Sequence, residues 1–242
     1  MSATLLRVAQ LSKHFGGFSA LSEVSVEIAQ GERFGLIGPN GSGKTTLINC
    51  ISGSLKNDGG SIVFDGSDIS GLPAYQRTRL GIARSFQIPR PFSSMSVLEN
   101  LVVPLEYVVH RRSLHKADTR AEAMQILKSM GLADKADTPS NRLTQVELRK
   151  LELARAMAAR PRLLISDEAM AGLSSTEVEE VLAILRKLND SGITIIMIEH
   201  IMRAVMSFSQ RVICLDAGRI ICEGTPESIV KDPEVQKAYL GA

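Results

Sequence analysis

The sequence predicts an α/β fold built on a parallel sheet, and three observations carry this prediction. Residues 33–51 read as a short apolar strand, a glycine-rich loop and a helix in direct succession. Residues 163–198 read as an apolar strand, an amphipathic helix and a second apolar strand, as in a β-α-β unit. Residues 93–144 differ, because two stretches within them, 97–103 and 119–130, carry helical spacing. A chain of 242 residues can bury one sizeable core, so we expect one α/β domain that carries a helical segment.

Composition narrows the class of protein. Apolar residues make up 44% and charged residues 22% of the chain, as in ordinary globular proteins. The net charge is only +2, so we expect no nucleic-acid partner. Cys50, Cys214 and Cys222 are odd in number and far apart, which fits neither a zinc site nor a disulfide framework. We expect them to be reduced thiols in the cytosol.

No segment of the sequence predicts insertion into a membrane. Residues 1–7 lack the basic start and the long apolar stretch of a signal peptide, so we expect none. No apolar run approaches the ~18 residues that a membrane span requires. We therefore expect any membrane association to depend on partner proteins.

The first 66 residues predict strands and tight turns. Residues 24–28 alternate apolar and polar side chains, as a half-buried strand does. Residues 30–32 are predicted to turn into the apolar strand 33–37. Residues 61–64 form a further predicted strand, followed by a turn at Asp65 and Gly66.

Residues 38–45 fit the pattern G-x-x-x-x-G-K-[ST], which wraps the phosphates of a nucleotide. Glycines in this loop let backbone N–H groups approach anionic oxygens without a Cβ in the way. We predict that Lys44 reaches the β- and γ-phosphates, that the Thr45 hydroxyl ligates Mg²⁺, and that the next helix directs its positive end at the phosphates. The predicted nucleotide contacts are Gly38, Pro39, Asn40, Gly41, Ser42, Gly43, Lys44, Thr45 and Thr46. A chance glycine-rich turn would give this match in on the order of one in a hundred chains of this length, and the flanking strand and helix favour the phosphate site.

The character of the chain changes at residues 83–91, which contain Gln87 and two prolines after it. The prolines exclude a helix and predict a hinge. A glutamine alone says little, but this position favours a residue that senses nucleotide and moves with the helical part. Beyond it, residues 97–103 and 119–130 carry helical spacing, and Gly131 is placed as a C-terminal cap. The basic stretch 110–116 between them is predicted to be a solvated connection.

An acidic pair ends the first strand of the later β-α-β unit. Residues 163–166 are a predicted buried strand, and Asp167 and Glu168 follow it. Strands often end in a polar residue, but after a phosphate loop this pair indicates a hydrolytic site. We predict Asp167 in the Mg²⁺ shell, and Glu168 as the base that orients or deprotonates a water attacking the γ-phosphate.

The last fifty residues contribute one candidate site residue and two helices. The predicted strand 193–198 leads to His200, and parallel sheets place their ligands at the carboxyl ends of their strands. A lone histidine is more often structural, but this position favours contact with the γ-phosphate. Pro226 and Pro233 each follow a capping residue, which predicts two short helices.

These motifs occur in the order found in the ATP-binding cassette (ABC) ATPases that drive membrane transporters, and the sequence resembles that family over essentially its whole length. The resemblance implies a P-loop NTPase (RecA-like) core with an antiparallel β subdomain and an inserted α-helical subdomain. The core would comprise residues 1–92 and 145–242, and the helical subdomain residues 93–144.

The resemblance also implies ATP and Mg²⁺ as ligands. The residues at the metal would be Thr45, Gln87 and Asp167, and those in catalysis Lys44, Glu168 and His200. Phe15 matches the position of an aromatic residue that stacks on adenine in such proteins, with an ordinary core aromatic as the alternative.

Within the family, the sequence is most similar to the ATPase subunits of branched-chain amino-acid importers. The matching stretches are residues 15–17, 84–87, 151–156, 198–200, 223–226 and 238–241. Importers of urea, short amides or aromatic acids share these stretches, so the solute stays open.

The sequence departs from the family pattern at residues 143–147, where Leu-Ser-Gly-Gly-Gln or a close variant is usual. The predicted contacts to an ATP held by the opposite subunit are Thr144, Gln145, Val146 and Glu147. Thr144 keeps a hydroxyl, but Val146 brings a β-branched side chain where close backbone approach is wanted, and Glu147 places a negative charge near phosphate. We therefore expect this segment to support hydrolysis less well than an unaltered one.

Three functions fit these observations. The first is a cytoplasmic ATPase subunit, peripheral on the inner face of the cell membrane, that pairs with a second cassette (different or identical) and two permease subunits, and indirectly with a solute-binding protein. The second is the ATPase of a lipid or lipopolysaccharide exporter. The third, a soluble cassette protein acting on DNA or ribosomes, is disfavoured because such proteins usually carry two cassettes or long coiled-coil insertions. A P-loop kinase would need neither residues 143–156 nor His200.

Overall fold

The computed structural model describes residues 3–86, 89–109 and 116–240. Its strands are β1 (Thr4–Phe15), β2 (Phe18–Ala29), β3 (Arg33–Ile37), β4 (Gly59–Phe64), β5 (Ser67–Asp68), β6 (Ile82–Ser85), β7 (Leu163–Asp167), β8 (Thr194–Ile198), β9 (Arg211–Asp216) and β10 (Arg219–Gly224). Its helices are α1 (Lys44–Ser52), α2 (Ala74–Leu80), α3 (Val97–Pro104), α4 (Lys116–Ser129), α5 (Gln145–Met157), α6 (Ser175–Asp190), α7 (Met202–Phe208), α8 (Pro226–Lys231) and α9 (Pro233–Leu240). A π-helical turn at Leu105–Val109 extends α3.

The strands of the described residues form two sheets. One is antiparallel, in the order β2-β1-β4-β5. The other has the order β10-β9-β3-β8-β7-β6, in which β9 to β6 run parallel and β10 adds an antiparallel edge. The predicted parallel sheet is thereby confirmed, and the strand-rich opening third supplies the antiparallel sheet.

The strand registers bring the predicted site residues to one edge of the parallel sheet. Leu36 of β3 pairs with Ile198 of β8, and Ile198 pairs with Asp167 of β7. The phosphate loop, the acidic pair and His200 therefore leave the sheet at neighbouring strand ends. This is the edge where parallel sheets hold their ligands.

The core lies on both faces of the parallel sheet, since every residue of β7 and β8 is buried. Ile165 and Ile196 pack with the apolar residues of α1 and the antiparallel sheet. Leu164 and Ile195 pack on the opposite face, with apolar residues of α5, α6 and α7. Each such side chain contributes ~1.5–3 kcal/mol of burial free energy, which explains why these strands are continuously apolar.

The predicted helices beyond residue 93 are present. α3 begins in a capping box, in which the Ser96 hydroxyl accepts the Glu99 N–H and the Glu99 carboxylate accepts the Ser96 N–H. α4 begins three residues before the predicted start at Thr119, and Gly131 after it has a φ of 69°. Residues 110–115 of the predicted basic connection lie outside the described residues. The subdomain boundaries at residues 92 and 144 stay a prediction.

Near the C-terminus, α8 and α9 begin at the two prolines as predicted. In the part of the chain that the structure describes, no helix has the length and apolar character needed to cross a membrane.

Candidate nucleotide site

The phosphate loop joins β3 to α1, and its backbone requires glycine at both ends. Gly38 has a φ of 149° and Gly43 a φ of 105°. A Cβ on Gly38 would collide with the Leu215 carbonyl oxygen, and one on Gly43 would lie 2.7 Å from the Ala20 carbonyl oxygen. Gly43 is the N-cap of α1 and supplies no side chain to cap it, so the positive helix end is open to an anion.

The Lys44 ammonium is folded back onto the loop. It donates hydrogen bonds to the carbonyl oxygens of Gly38 (2.7 Å) and Pro39 (3.0 Å), and the residue is 7% exposed. Burial lowers the pKa of Lys44, and the nearby Glu168 carboxylate opposes this effect. The ammonium is therefore a partly desolvated donor group beside the loop, ready to exchange carbonyl oxygens for phosphate oxygens.

Glu168 and His200 are in direct contact. The Glu168 Oε1 lies 2.7 Å from the His200 Nε2, although 32 residues separate them in the chain. Glu168 has a φ of 47°, a left-handed conformation that a non-glycine residue rarely adopts. Its N–H donates to the Ile198 carbonyl oxygen at 2.9 Å, which fixes the turn after β7. The predicted base and the predicted γ-phosphate contact are thus held together.

A cavity of about 280 Å³ lies over the phosphate loop and is closed on one side by Glu168 and His200. It brings together predicted nucleotide contacts and two aromatic residues, namely Asn40, Gly41, Ser42, Gly43, Lys44, Thr45, Thr46, Phe15 and Phe18. Phe15 is 49% exposed and Phe18 62% exposed, so neither is a core aromatic. The stacking of Phe15 on adenine stays a prediction, and Phe18 is a second candidate that its sequence context did not indicate.

Gly38 and Pro39 do not line this cavity, but their carbonyl oxygens accept the hydrogen bonds of Lys44. The Gly38 N–H donates to the Tyr239 hydroxyl at 2.8 Å, which ties α9 to the start of the loop. Gln87 lies outside the described residues.

Asp167 is held by a residue that the sequence analysis did not select. The Arg84 Nη2 and Nε donate to the Asp167 Oδ2, at 2.5 and 3.2 Å. The Arg84 Nη1 donates to the Asn49 Oδ1 of α1 at 2.6 Å. The available signal was a charged residue within the otherwise buried strand β6, but only the sheet order shows which carboxylate it meets.

The oxygen donors near the loop fit Mg²⁺. The Thr45 hydroxyl and the Asp167 carboxylate are hard ligands of the kind that Mg²⁺ prefers. Mg²⁺ usually takes one or two protein oxygens and completes its shell with phosphate oxygens and water. A donor set of one hydroxyl and one carboxylate therefore suits a metal that enters together with a nucleotide.

Residues 144–147 lie outside the lining of the phosphate cavity. They begin α5 in a capping box, in which the Thr144 hydroxyl accepts the Glu147 N–H and the Glu147 carboxylate accepts the Thr144 N–H at 2.8 Å. That N–H lowers the pKa of Glu147, which keeps it ionised. Gln145 donates to the Ala171 carbonyl oxygen at 3.2 Å. The Glu147 carboxylate thus contacts the N-terminal end of its own helix.

Glu199 is a buried acid beside the site that sequence reasoning also missed. It is 2% exposed and accepts the Met170 N–H at 2.9 Å. Burial raises the pKa of Glu199 to about 7, the Met170 N–H opposes the rise, and the charge of Glu168 adds to it. Its protonation therefore changes near neutral pH.

We expect Glu199→Gln to flatten the dependence of stability on pH. The folded-state pKa lies above the unfolded value, so the free energy of unfolding is highest below the unfolded pKa of 4.5 and falls as pH rises towards 7. The loss is at most ~3 kcal/mol, at ~1.4 kcal/mol per pKa unit. Glutamine keeps the acceptor for Met170 without the charge. Urea unfolding between pH 5 and 8.5 should show the variant gaining stability over the parent with rising pH.

The matched control is Glu179→Gln, whose side chain is half exposed on α6. It should follow the parent at every pH. An equal pH slope in Glu199→Gln and the parent would contradict the burial argument.

Comparison with known proteins identifies the family of this chain. The family model described as ABC transporter matches residues 21–171, and a model described as branched-chain amino acid ATP-binding cassette transporter matches residues 219–242. The high-affinity branched-chain amino acid transport ATP-binding protein BraF of Pseudomonas aeruginosa is 37% identical over 253 residues, which cover 100% of this chain and 99% of BraF.

Solved structures agree as well. The ADP conformation of an ATP-binding cassette of an ABC transporter has a TM-score of 0.90, is 31% identical, and covers 100% of both chains. A dimeric cassette in a post-hydrolysis state with ADP and Pi has a TM-score of 0.83 at 26% identity, over 92% of this chain and 99% of that one. The chain belongs to the ATP-binding cassette family of transporter ATPases.

Proposed function

We propose that this chain hydrolyses ATP to drive the import of branched-chain or related amino acids through separate permease subunits. The observation that carries the hydrolytic part is the 2.7 Å contact between Glu168 and His200 at the cavity that Lys44 and Thr45 also line. The solute class is supported by the match at residues 219–242 and by the similarity to BraF, a branched-chain amino acid transport protein.

In this proposal the chain's own residues divide the work. Lys44 and the N–H groups at the start of α1 bind the phosphates and offset the charge that develops in transfer. Glu168 accepts the proton of the attacking water, and His200 orients Glu168 through their contact. Mg²⁺, held by Thr45 and Asp167 and, as the family resemblance implies, by Gln87, would neutralise the phosphate oxygens when bound.

We propose that a second cassette completes the site. Residues 144–147 lie at the start of α5 and do not line the chain's own cavity, so a nucleotide that they contact would be one held by another chain. The dimeric ADP-bound cassette supports this pairing. A different cassette is favoured as the partner because the altered segment would then serve only one of the two sites.

We propose that the permease binds at a second cavity, of about 350 Å³, which residues of β6, α5 and the end of α3 line. Phe86, Phe92 and Tyr107 line it and are 46%, 40% and 70% exposed. Arg84 and Arg155 add positive charge beside those rings. This chemistry suits a permease helix with apolar residues next to a carboxylate, at the cytoplasmic face of the membrane.

We expect the purified chain to stay in solution without detergent, yet to pellet with membranes from its native cell. Tyr107→Ser should lower the membrane-bound fraction, because Tyr107 is exposed in the proposed docking cavity. Tyr75→Ser is the control, since Tyr75 is 57% exposed but lies outside that cavity. Immunoblots of sedimented membranes measure both fractions. A chain that fractionates with ribosomes or DNA would contradict a transport function.

A further inference from the structure

We infer that Arg84 is a positioning residue that occupies Asp167 until a divalent cation arrives, and thereby sets the affinity for that cation. The inference rests on the proposed place of Asp167 in the Mg²⁺ shell. It concerns a residue to which no motif of the nucleotide site assigns a part.

The contact has the form of a competitor for the metal. Two N–H groups of Arg84 converge on one oxygen, the Asp167 Oδ2, at 2.5 and 3.2 Å. Both side chains are 11% exposed, so water screens the pair weakly. A guanidinium in this place satisfies the carboxylate and repels an approaching cation, so a metal that takes Asp167 must first weaken this ion pair.

Arg84 also ties the two walls of the site together. Its Nη1 donates to Asn49 of α1 at 2.6 Å, while its other nitrogens bond β7. The first two residues of α1 are Lys44 and Thr45, and Thr45 is the second proposed metal ligand. Arg84 therefore contacts both elements that supply the predicted metal ligands, α1 and β7.

The Arg84 guanidinium also has an aromatic neighbour. Arg84 lines the cavity of about 350 Å³, so its side chain has open space beside it. The Phe86 ring lies there with its centroid 5.4 Å from the Arg84 Cζ, within the range of a cation–π contact. The guanidinium makes this contact while it bonds Asp167, so it keeps an aromatic partner when a metal takes the carboxylate.

The alternative is that Arg84 only braces Asp167 for the metal. The two accounts predict opposite signs. If Arg84 competes with the metal, removal of its charge tightens divalent binding. If it braces Asp167, the same change loosens divalent binding because the carboxylate loses its orientation.

Calorimetry of ADP binding, with Mg²⁺ and with EDTA in its place, measures this without turnover. The ADP affinity with Mg²⁺ divided by the ADP affinity with EDTA reports how strongly metal and nucleotide favour each other's binding. We expect the ratio to rise about tenfold in Arg84→Gln, the size of one lost charge-assisted interaction.

Two further variants complete the design. Arg90→Gln removes a positive charge from the same cavity and should leave the ratio unchanged. Arg84→Lys, which keeps the charge but not the fork, should lie between the parent and Arg84→Gln and serves if the glutamine variant does not fold. A ratio that falls or does not change in both Arg84 variants would overturn the inference.

Asp167→Asn separates this inference from the proposed function. It should lower the ratio, and Arg84→Gln should add nothing in its background, because the effect of Arg84 passes through Asp167. If Asp167→Asn leaves the ratio unchanged, the proposed metal ligand is wrong. If Asp167→Asn lowers the ratio but Arg84→Gln does not raise it, only the role of Arg84 is wrong.

Discussion

Lys44→Ala is expected to abolish nucleotide binding, with a loss of affinity of ~100-fold or more. The ammonium makes two hydrogen bonds to loop carbonyl oxygens and lies in a partly buried position. On nucleotide binding it would exchange these for charge-assisted bonds to phosphate, each worth ~1.5–3 kcal/mol. Alanine supplies neither the charge nor the length of the lysine side chain, and water in its place would carry no positive charge for the two phosphates.

Calorimetric titration with Mg-ATP at low temperature measures the effect. Thermal melting should accompany it, because Lys44 also fixes the Gly38 and Pro39 carbonyl oxygens of the free loop. Lys56→Ala, at an exposed position just beyond α1, is the matched control and should bind as the parent does. Undiminished affinity in a folded Lys44→Ala would remove the phosphate-site assignment.

The sequence was sufficient for those parts of the fold that short-range patterns determine. The apolar runs that became β7 and β8 are buried along their whole length, so their composition directly reported two covered faces. The phosphate loop was predictable because glycine with positive φ at Gly38 and Gly43 leaves a fixed spacing in the chain. Proline after a capping residue marked the starts of α8 and α9 for a similar reason.

Contacts between segments that are distant in the chain could not be predicted from the sequence. Arg84 meets Asp167 because β6 lies next to β7, a neighbour relation that no local pattern in either strand encodes. Tyr239 reaches Gly38 across 201 positions, through the packing of α9 beside the loop. Burial of Glu199 depends on the elements around β8, so its raised pKa could not be predicted from the strand alone.

The altered segment at residues 144–147 shows a different limit. The sequence indicated that Glu147 places a negative charge near phosphate. In the structure its carboxylate accepts the Thr144 N–H and lies 3.6 Å from the Lys135 ammonium. The charge is therefore partly neutralised within the chain, and Val146 and the Gln145 side chain become the stronger reasons to expect weak support of hydrolysis.

Glu168→Gln is expected to stop ATP hydrolysis at the site that this chain's phosphate loop forms. Glutamine keeps the shape and can still bond His200, but it cannot accept the proton of the attacking water. General-base catalysis typically contributes ~10²-fold or more to the rate. ATP binding should persist, since Glu168 closes the cavity but does not supply the positive charge that holds the phosphates.

The size of the loss in transport depends on how the two sites of the proposed cassette pair share the work. One site combines Lys44, Asp167 and Glu168 with the partner's signature, and the other combines the partner's phosphate loop with residues 144–147 of this chain. We predict that the first site does most of the hydrolysis. The second site contains the altered segment, with the β-branched Val146 and with a Gln145 amide that already donates to the Ala171 carbonyl oxygen. Glu168→Gln should then stop uptake of labelled leucine, whereas the same change at the partner's equivalent glutamate should reduce it less. Steady-state ATPase and uptake rates of the two single variants decide the matter, and equal losses from both would show that Thr144 and the backbone suffice for two active sites.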